Sequence, residues 1–178
     1  MKKLIVKLVK KLLQSKEVVN YKRGERFYSN SLVDTLVPEF IEIGDNFVSA
    51  PGSIILAHDS SPFLFIKKYR IEFTKIGNNV FLGANSVVMP GIIIGNNVIV
   101  GAGAVVTKDI KDNSVVAGNP AKYMCSVEEY CDKCERRGVL YDVPKRMLDT
   151  FKKGKKFEED VLNEFRTYVS EKIKNESK

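Results

Sequence analysis

The single histidine of this 178-residue chain, His58, is the side chain best suited to proton transfer near neutral pH. It follows the largely apolar stretch Ser53–Ala57 and precedes a loop that contains several aromatic residues. An imidazole at such a junction can act as a general base on a hydroxyl group, although a surface or packing histidine is the plainer alternative. Asp59 is a candidate partner for the ring. Adjacent side chains on a strand point to opposite faces, however, so a backbone carbonyl is favoured over Asp59.

The three cysteines resemble half of a metal or redox motif, because Cys131 and Cys134 are spaced as C-x-x-C and Cys125 is nearby. A structural zinc ion would need a fourth ligand, and the sequence has no second cysteine pair and no spare histidine. One histidine also excludes a three-histidine zinc centre. We therefore expect no metal and ordinary helix cysteines, with a dithiol motif as the alternative.

Charge is concentrated at the N-terminus. The chain carries a net charge of +7, and residues 1–24 hold eight basic residues and one acid, so the remainder is neutral as a block. This distribution does not support a nucleic-acid-binding surface. The run 76–107 has no charged residue, but its asparagines, glycines and Pro90 are atypical of a membrane helix.

An internal repeat predicts the fold. Residues 76–93 and 94–111 match at ten of eighteen positions. Within them an aliphatic residue recurs every six positions, and glycine follows four of these aliphatic residues. The six are Ile76, Leu82, Val88, Ile94, Val100 and Val106. A period of six fits neither an amphipathic helix nor a simple strand, but it fits a short strand followed by a corner. Asparagine and glycine suit corners that need a positive φ.

Three such units make one coil of a triangular parallel solenoid whose stacked coils bury an aliphatic column. Residues 43–60 continue the pattern upstream, with Ser49 at a weak position. The frame then breaks, because Ile43 and Ile76 are five and a half repeats apart. Residues 61–75 are therefore predicted to leave the solenoid as a loop, and residues 25–42 are an earlier, degenerate coil around Val37 and Ile41.

The segments GANSVVMPG, VGAGAVVTKDI and VAGNPAK resemble the hexapeptide-repeat acyltransferases, and most of all the sugar O-acetyltransferases acting on galactosides, maltose and polysaccharides. The resemblance covers residues 28–124. It implies a mainly β protein, a left-handed parallel β-helix, that transfers an acetyl group from acetyl-CoA to a hydroxyl of a sugar or polysaccharide precursor. N-acetylation of an amino sugar or small xenobiotic, and an inactive scaffold, are the alternatives.

The resemblance also implies site residues. His58 would be the general base, and Asn30 of Tyr28-Ser29-Asn30 would contact the acceptor or the reacting oxygen, with a turn asparagine as the alternative. The residues implied for coenzyme A are Phe81 beside the thioester, Gly83, Ala84 and Ala102 along the pantetheine arm, and Thr107, Lys108 and Lys122 at the phosphates. No metal is implied. Family members are homotrimers with active sites between neighbouring solenoids, and their protruding loop reaches the neighbouring subunit.

Both ends of the chain are predicted to be helical. Residues 1–24 form a basic amphipathic segment, 25–124 the solenoid and 125–178 a helical extension in which Ser126 and Glu129 have capping-box spacing. We expect a cytoplasmic protein. Residues 1–16 are suited either to packing in the oligomer or to peripheral contact with an anionic membrane surface, and packing is slightly favoured.

Overall fold

The computed structural model describes residues 21–176, which form a triangular parallel β-helix followed by three helices. Most of the predicted basic segment 1–24 lies outside the described residues. Its last residues do not belong to a helix, because Lys22–Arg23 is the first strand of the solenoid. The solenoid therefore begins three residues earlier than the sequence pattern predicts.

Short strands of two to five residues build the solenoid, and each coil runs through sheets A, B and C in turn. Sheet A contains β1 (Lys22–Arg23), β3 (Ile41–Ile43), β8 (Thr74–Ile76) and β11 (Ile93–Ile94). Sheet B contains β4 (Val48–Ser49), β9 (Val80–Leu82), β12 (Val98–Val100), β14 (Ser114–Ala117) and the antiparallel β15 (Lys122–Ser126). Sheet C contains β2 (Leu32–Val33), β5 (Ile54–Ile55), β10 (Val87–Val88) and β13 (Val105–Val106).

The repeat positions form the core, as predicted. All six aliphatic residues at the period of six are at most 1% exposed, and Ser49 at the weak position is also buried. Ile41 corrects one expectation. It opens the second coil in β3, in register with Thr74 of the third coil, so the degenerate first coil ends near Val37.

Asparagines occupy the corners between sheets A and B with φ near +55°, the left-handed region that asparagine tolerates better than most residues. Their side-chain amides also bond from coil to coil. Asn46 donates to Asn79 at 2.7 Å, Asn79 to Asn97 at 2.8 Å and Asn97 to Asn113 at 2.9 Å. The predicted role of asparagine at the corners is confirmed, with an amide ladder in addition.

The predicted loop is a hairpin that leaves the second coil. Strand β6 (His58–Asp59) pairs antiparallel with β7 (Arg70–Ile71), and helix α1 (Phe63–Ile66) lies at its tip. Its apolar side chains stand largely in solvent in the single chain. Phe65 is 83% exposed and Leu64 is 72% exposed.

The C-terminal extension folds back over sheet B. Helix α2 (Val127–Arg136) begins with the predicted capping box, since Ser126 and Glu129 exchange both hydrogen bonds. Helices α3 (Lys145–Lys152) and α4 (Glu159–Glu176) follow. Between this extension and sheet B lies a groove of about 430 Å³, lined in part by Phe81, Val127 and Phe151.

The three outer faces of the solenoid differ in chemistry. Sheet A is charged, with Glu42 paired to Lys22 at 3.3 Å and to Lys75 at 3.6 Å. Sheet B is partly covered by the extension. Sheet C is apolar on its outside, and no charged residue lies in its strands. Its outward side chains are Leu32, Ile54, Val87 and Val105, and Leu32 is 60% exposed.

The uncharged run 76–107 extends from the last residue of β8 to the residue after β13. Among residues 21–176 no helix is long and apolar enough to span a bilayer.

Candidate active site

His58 is held by Asp34, a residue 24 positions upstream. Strand β2 lies beside β5 with Leu32 opposite Ile54 and Val33 opposite Ile55. Asp34 therefore leaves sheet C at the same corner as His58, and its Oδ2 lies 2.5 Å from His58 Nδ1. Such a pairing orients the ring and leaves Nε2 as the nitrogen available to a ligand.

The Asp34 carboxylate is buried, and both of its oxygens accept hydrogen bonds. Oδ2 also accepts from the backbone N–H groups of Ala57 and His58 at 2.9 Å, and Oδ1 accepts from Leu36 N–H at 2.9 Å. Burial raises the pKa of Asp34, but the hydrogen bonds from the Ala57 and Leu36 amides and from His58 outweigh burial and hold the pKa below its ordinary value. The group is thus a fixed negative charge against the imidazole, which stabilises the ring when it takes up a proton.

The ring itself remains reachable, since the His58 side chain is 25% exposed while that of Asp34 is fully buried. Tyr69 of the hairpin lies beside it, with ring centroids 6.3 Å apart, and Phe63 packs edge-on against Tyr69. The hairpin therefore forms one wall next to the imidazole.

The expectation about the partner of His58 needs correction. Asp59 points elsewhere, because its Oδ1 accepts the Ser61 N–H at 2.8 Å. A backbone carbonyl is not the partner of Nδ1 either, since Asp34 takes that place. The sequence carried a signal for Asp34. Aligning Leu32–Val33 with Ile54–Ile55 as neighbouring strands would have brought Asp34 to the corner of His58.

Asn30 lies at the opposite end of β2. It is exposed, its side-chain Nδ2 donates to the Ser49 carbonyl at 3.1 Å, and its backbone N–H donates to Ser49 Oγ at 2.9 Å. One amide proton and the amide oxygen remain for a ligand. Asp34 lies four positions after Asn30, a span of about 13 Å in extended chain. Among residues 21–176 no hydrogen bond joins Asn30 to His58 of the same chain.

The residues predicted for coenzyme A lie at two corners of the solenoid, the corner that holds Asn30 and the corner that holds His58. We call the corner between sheets B and C the B–C corner, and the one after sheet C, where His58 lies, the C–A corner. Gly83, Ala84 and Ala102 lie at the B–C corner, and Phe81 lies just before it on sheet B. Lys122, at the start of β15, pairs with Ala117 near this corner too. Thr107 and Lys108 follow β13 at the C–A corner.

Gly83 has a packing reason of its own. A Cβ at this position would come within 2.4 Å of the Ala102 nitrogen in the next coil. Glycine therefore lets the coils stack closely at the B–C corner, whether or not the backbone also meets a ligand. Lys108 and Lys122 are exposed, as phosphate ligands must be.

Cys125, Cys131 and Cys134 are unbridged, and the last two lie on α2. Within residues 21–176 no cluster of three histidine, cysteine, aspartate or glutamate side chains is arranged to hold a metal ion.

Comparison with known proteins identifies the family. The family model described as bacterial transferase hexapeptide (six repeats) matches residues 73–108. Protein CapG of Staphylococcus aureus is 43% identical over an alignment of 142 positions that covers 73% of this chain and 81% of CapG. The chain belongs to the hexapeptide-repeat acyltransferase family.

Solved structures give the same grouping. A maltose O-acetyltransferase from Clostridium difficile 630 superposes with a TM-score of 0.55 at 38% identity, covering 61% of this chain and 59% of that one. A galactoside acetyltransferase in complex with coenzyme A superposes with a TM-score of 0.56 at 29% identity, covering 64% of this chain and 58% of that one. The chain thus spans less than two thirds of these two proteins, but most of CapG.

Proposed function

We propose that this protein transfers an acetyl group from acetyl-CoA to a hydroxyl of a sugar or polysaccharide precursor, with His58 as the general base. The observation that carries the proposal is the Asp34–His58 pair at the root of the hairpin, inside a β-helix whose relatives include maltose and galactoside acetyltransferases. With these relatives we also infer the left-handed sense of the coil.

The pair suggests how the proton moves. With Nδ1–H donated to Asp34, Nε2 is the free base, and it takes the proton of the acceptor hydroxyl as the oxygen attacks the thioester carbonyl. The new C–O bond forms, the C–S bond breaks, and the proton on Nε2 passes to the departing CoA sulfur. Asp34 stabilises the transient imidazolium without being protonated itself, as its lowered pKa favours.

The developing oxyanion needs a donor, and Asn30 is the candidate within the acceptor site. Its second amide proton has no partner among the described residues, so it can be donated to the reacting oxygen or to an acceptor hydroxyl. A backbone N–H near the site is the alternative donor.

The division of the site residues between two corners supports a homotrimer. If three solenoids face a common axis with the apolar sheet C, the C–A corner of one copy meets the B–C corner of the next. Each groove then joins His58 and Lys108 of one copy with Asn30, Ala84, Ala102 and Lys122 of its neighbour. The uncharged outer face of sheet C and the exposed apolar hairpin are the surfaces such an assembly would bury.

An acceptor screen tests the proposal. Acetyl-CoA is incubated with neutral sugars, charged sugars and amino sugars, and release of the free thiol is followed. Hydroxyl acceptors should give turnover that His58→Ala lowers by about 10² or more, while folding and CoA binding stay close to wild type. Turnover with amino groups only, or full activity of the variant, would contradict the proposal.

A further inference from the structure

The end of α3 and the loop that follows it carry four lysines within five residues. Lys152, Lys153, Lys155 and Lys156 are all exposed, and none forms an ion pair among the described residues. The two arginines of the neighbouring helices are paired, Arg146 to Asp160 and Arg166 to Glu159 at 2.6 Å. The four lysines therefore form a cluster of unpaired positive charges, which we call the basic loop.

The basic loop is anchored to the solenoid rather than free in solution. The hydroxyl of Tyr28 donates to the Lys155 carbonyl at 2.5 Å. The Tyr28 ring stacks on Phe157 at 5.4 Å between centroids and on Phe151 at 6.1 Å. Within the loop, Lys155 N–H donates to the Thr150 carbonyl at 3.2 Å. Both sides of the lysine cluster are thus fixed to one aromatic residue of the first coil.

Tyr28 lies two positions before Asn30, the candidate acceptor-binding residue. Only Ser29 lies between them, so their Cα atoms are at most about 7 Å apart. The anchoring of Tyr28 therefore holds the basic loop over the outer face of sheet B in the first coil, close in sequence to the corner where Asn30 offers its amide. The long aliphatic part of a lysine side chain allows its ammonium group to extend across the distance between Tyr28 and Asn30.

The phosphates of coenzyme A do not account for these charges. Lys122 lies on the final coil and Lys108 on the coil before it, whereas Tyr28 lies on the first. With strands about 4.8 Å apart, three coil spacings separate the first coil from the fourth by about 14 Å. The basic loop lies at the first-coil end of sheet B, away from the lysines assigned to the donor.

We propose that the acceptor is an anionic saccharide and that the basic loop binds its negative groups next to the acetylated hydroxyl. This assignment rests on the proposed function. The shared chemistry is a carboxylate or phosphate group on the acceptor, carried either by the sugar residues or by a nucleotide diphosphate. Four lysines as point charges suit either source, because ammonium groups do not demand one planar geometry.

Equilibrium binding tests this assignment without relying on turnover. Trigalacturonate supplies sugar carboxylates, UDP-galactose a diphosphate, maltotriose the neutral reference and acetyl-CoA the donor. The test variant changes Lys152, Lys153, Lys155 and Lys156 to Gln, and a second changes them to Arg. The matched control removes the same number of charges from α2 and α4, as Lys133, Arg136, Lys172 and Lys174 to Gln.

Wild type should bind one anionic probe more tightly than maltotriose, and the Gln variant should lose about tenfold or more of that affinity. The Arg variant and the control should bind like wild type, and acetyl-CoA affinity should stay unchanged throughout. The probe that responds identifies the source of the charge.

The proposal would be overturned if the Gln variant bound the anionic probes as tightly as wild type does, or if wild type bound neither anionic probe. Loss of acetyl-CoA affinity instead would assign the loop to the donor. Loss of binding to phosphatidylglycerol vesicles alone would assign it to a membrane surface. A wild type that binds the anions but releases no thiol with any acceptor would contradict the proposed function and leave the binding site standing.

Discussion

At the scale of single residues, the pairing of Asp34 with His58 follows from strand register. No repeat motif around Asp34 or His58 predicts that the two side chains pair. The first coil, which contains Asp34, also lacks the six-residue repeat by which the later coils are recognised. The sequence therefore predicted His58 as the base but not the carboxylate that orients it. The alignment of β2 with β5 supplies what the repeat pattern could not.

Replacing Asp34 with Asn should lower turnover and should reduce the loss of stability at acid pH. Turnover should fall by about 10² or more, because the imidazole loses the charge that fixes its tautomer and stabilises its protonated form. The free energy of unfolding should also change its pH dependence.

The lowered pKa of Asp34 means that the folded state resists protonation. Its contribution to stability is present above the unfolded pKa of about 4 and is lost as the pH falls through the lower folded value. Denaturant titrations from pH 7 to pH 3 should show a smaller acid loss in Asp34→Asn than in wild type or in Asp142→Asn, a surface control. Equal acid losses in all three proteins would contradict the account.

Ser86 offers a stability test of the solenoid core. Its buried Oγ has no hydrogen-bond partner among residues 21–176, and the equivalent position in the next coil is Ala104. Ser86→Ala should therefore raise the free energy of unfolding by about 1 kcal/mol, because an unsatisfied hydroxyl is removed.

Ser53 is the matched control, since it occupies the same position one coil earlier. Its Oγ donates to the Ala50 carbonyl at 2.9 Å and lies 2.7 Å from Ser31 Oγ. Ser53→Ala should lower the free energy of unfolding by about 1 kcal/mol. Opposite signs for the two variants in denaturant titrations are expected, and a loss of stability in both would contradict this interpretation.

At the scale of elements, the sequence predicted the solenoid coils well and their attachments less well. Residues such as Ile76 and Val88 repeat with a fixed period, so their burial follows from the pattern alone. The periodic spacing of apolar residues in α3 and α4 identifies the apolar face of each helix, but it does not identify the surface on which that face packs. The contact of Phe151 and Phe157 with Tyr28, more than 120 residues away, therefore needed the structure.

Shortening the hairpin tests its assignment as a wall of the acceptor pocket. Deleting residues 62–68 removes α1 but keeps β6, Tyr69 and β7. Turnover should fall at least about tenfold with acetyl-CoA affinity retained, since Phe63 no longer supports Tyr69 beside His58. A deletion variant with wild-type turnover, and with an unchanged circular dichroism spectrum as control for folding, would show that the hairpin has no part in the site.

At the scale of the whole molecule, the proposed homotrimer builds one site from the two corners of sheet C. Asn30 precedes β2 at one edge of sheet C and His58 follows β5 at the other, so a shared site requires His58 of one copy to meet Asn30 of the next. The apolar outer face of sheet C is the surface that this homotrimer would bury, and the charged outer face of sheet A would stay in solvent.

Mixing the His58→Ala and Asn30→Ala variants tests whether neighbouring chains share one site. The two variants are each purified, unfolded together in equal amounts and refolded, and thiol release from acetyl-CoA is compared with that of each variant refolded alone. In randomly mixed trimers about a quarter of the sites pair an intact His58 with a neighbour's intact Asn30. A shared site therefore predicts recovery of about a quarter of wild-type activity. If both residues served within one chain, no mixed trimer would contain an intact site, so activity no higher than that of the separately refolded variants would contradict a shared site.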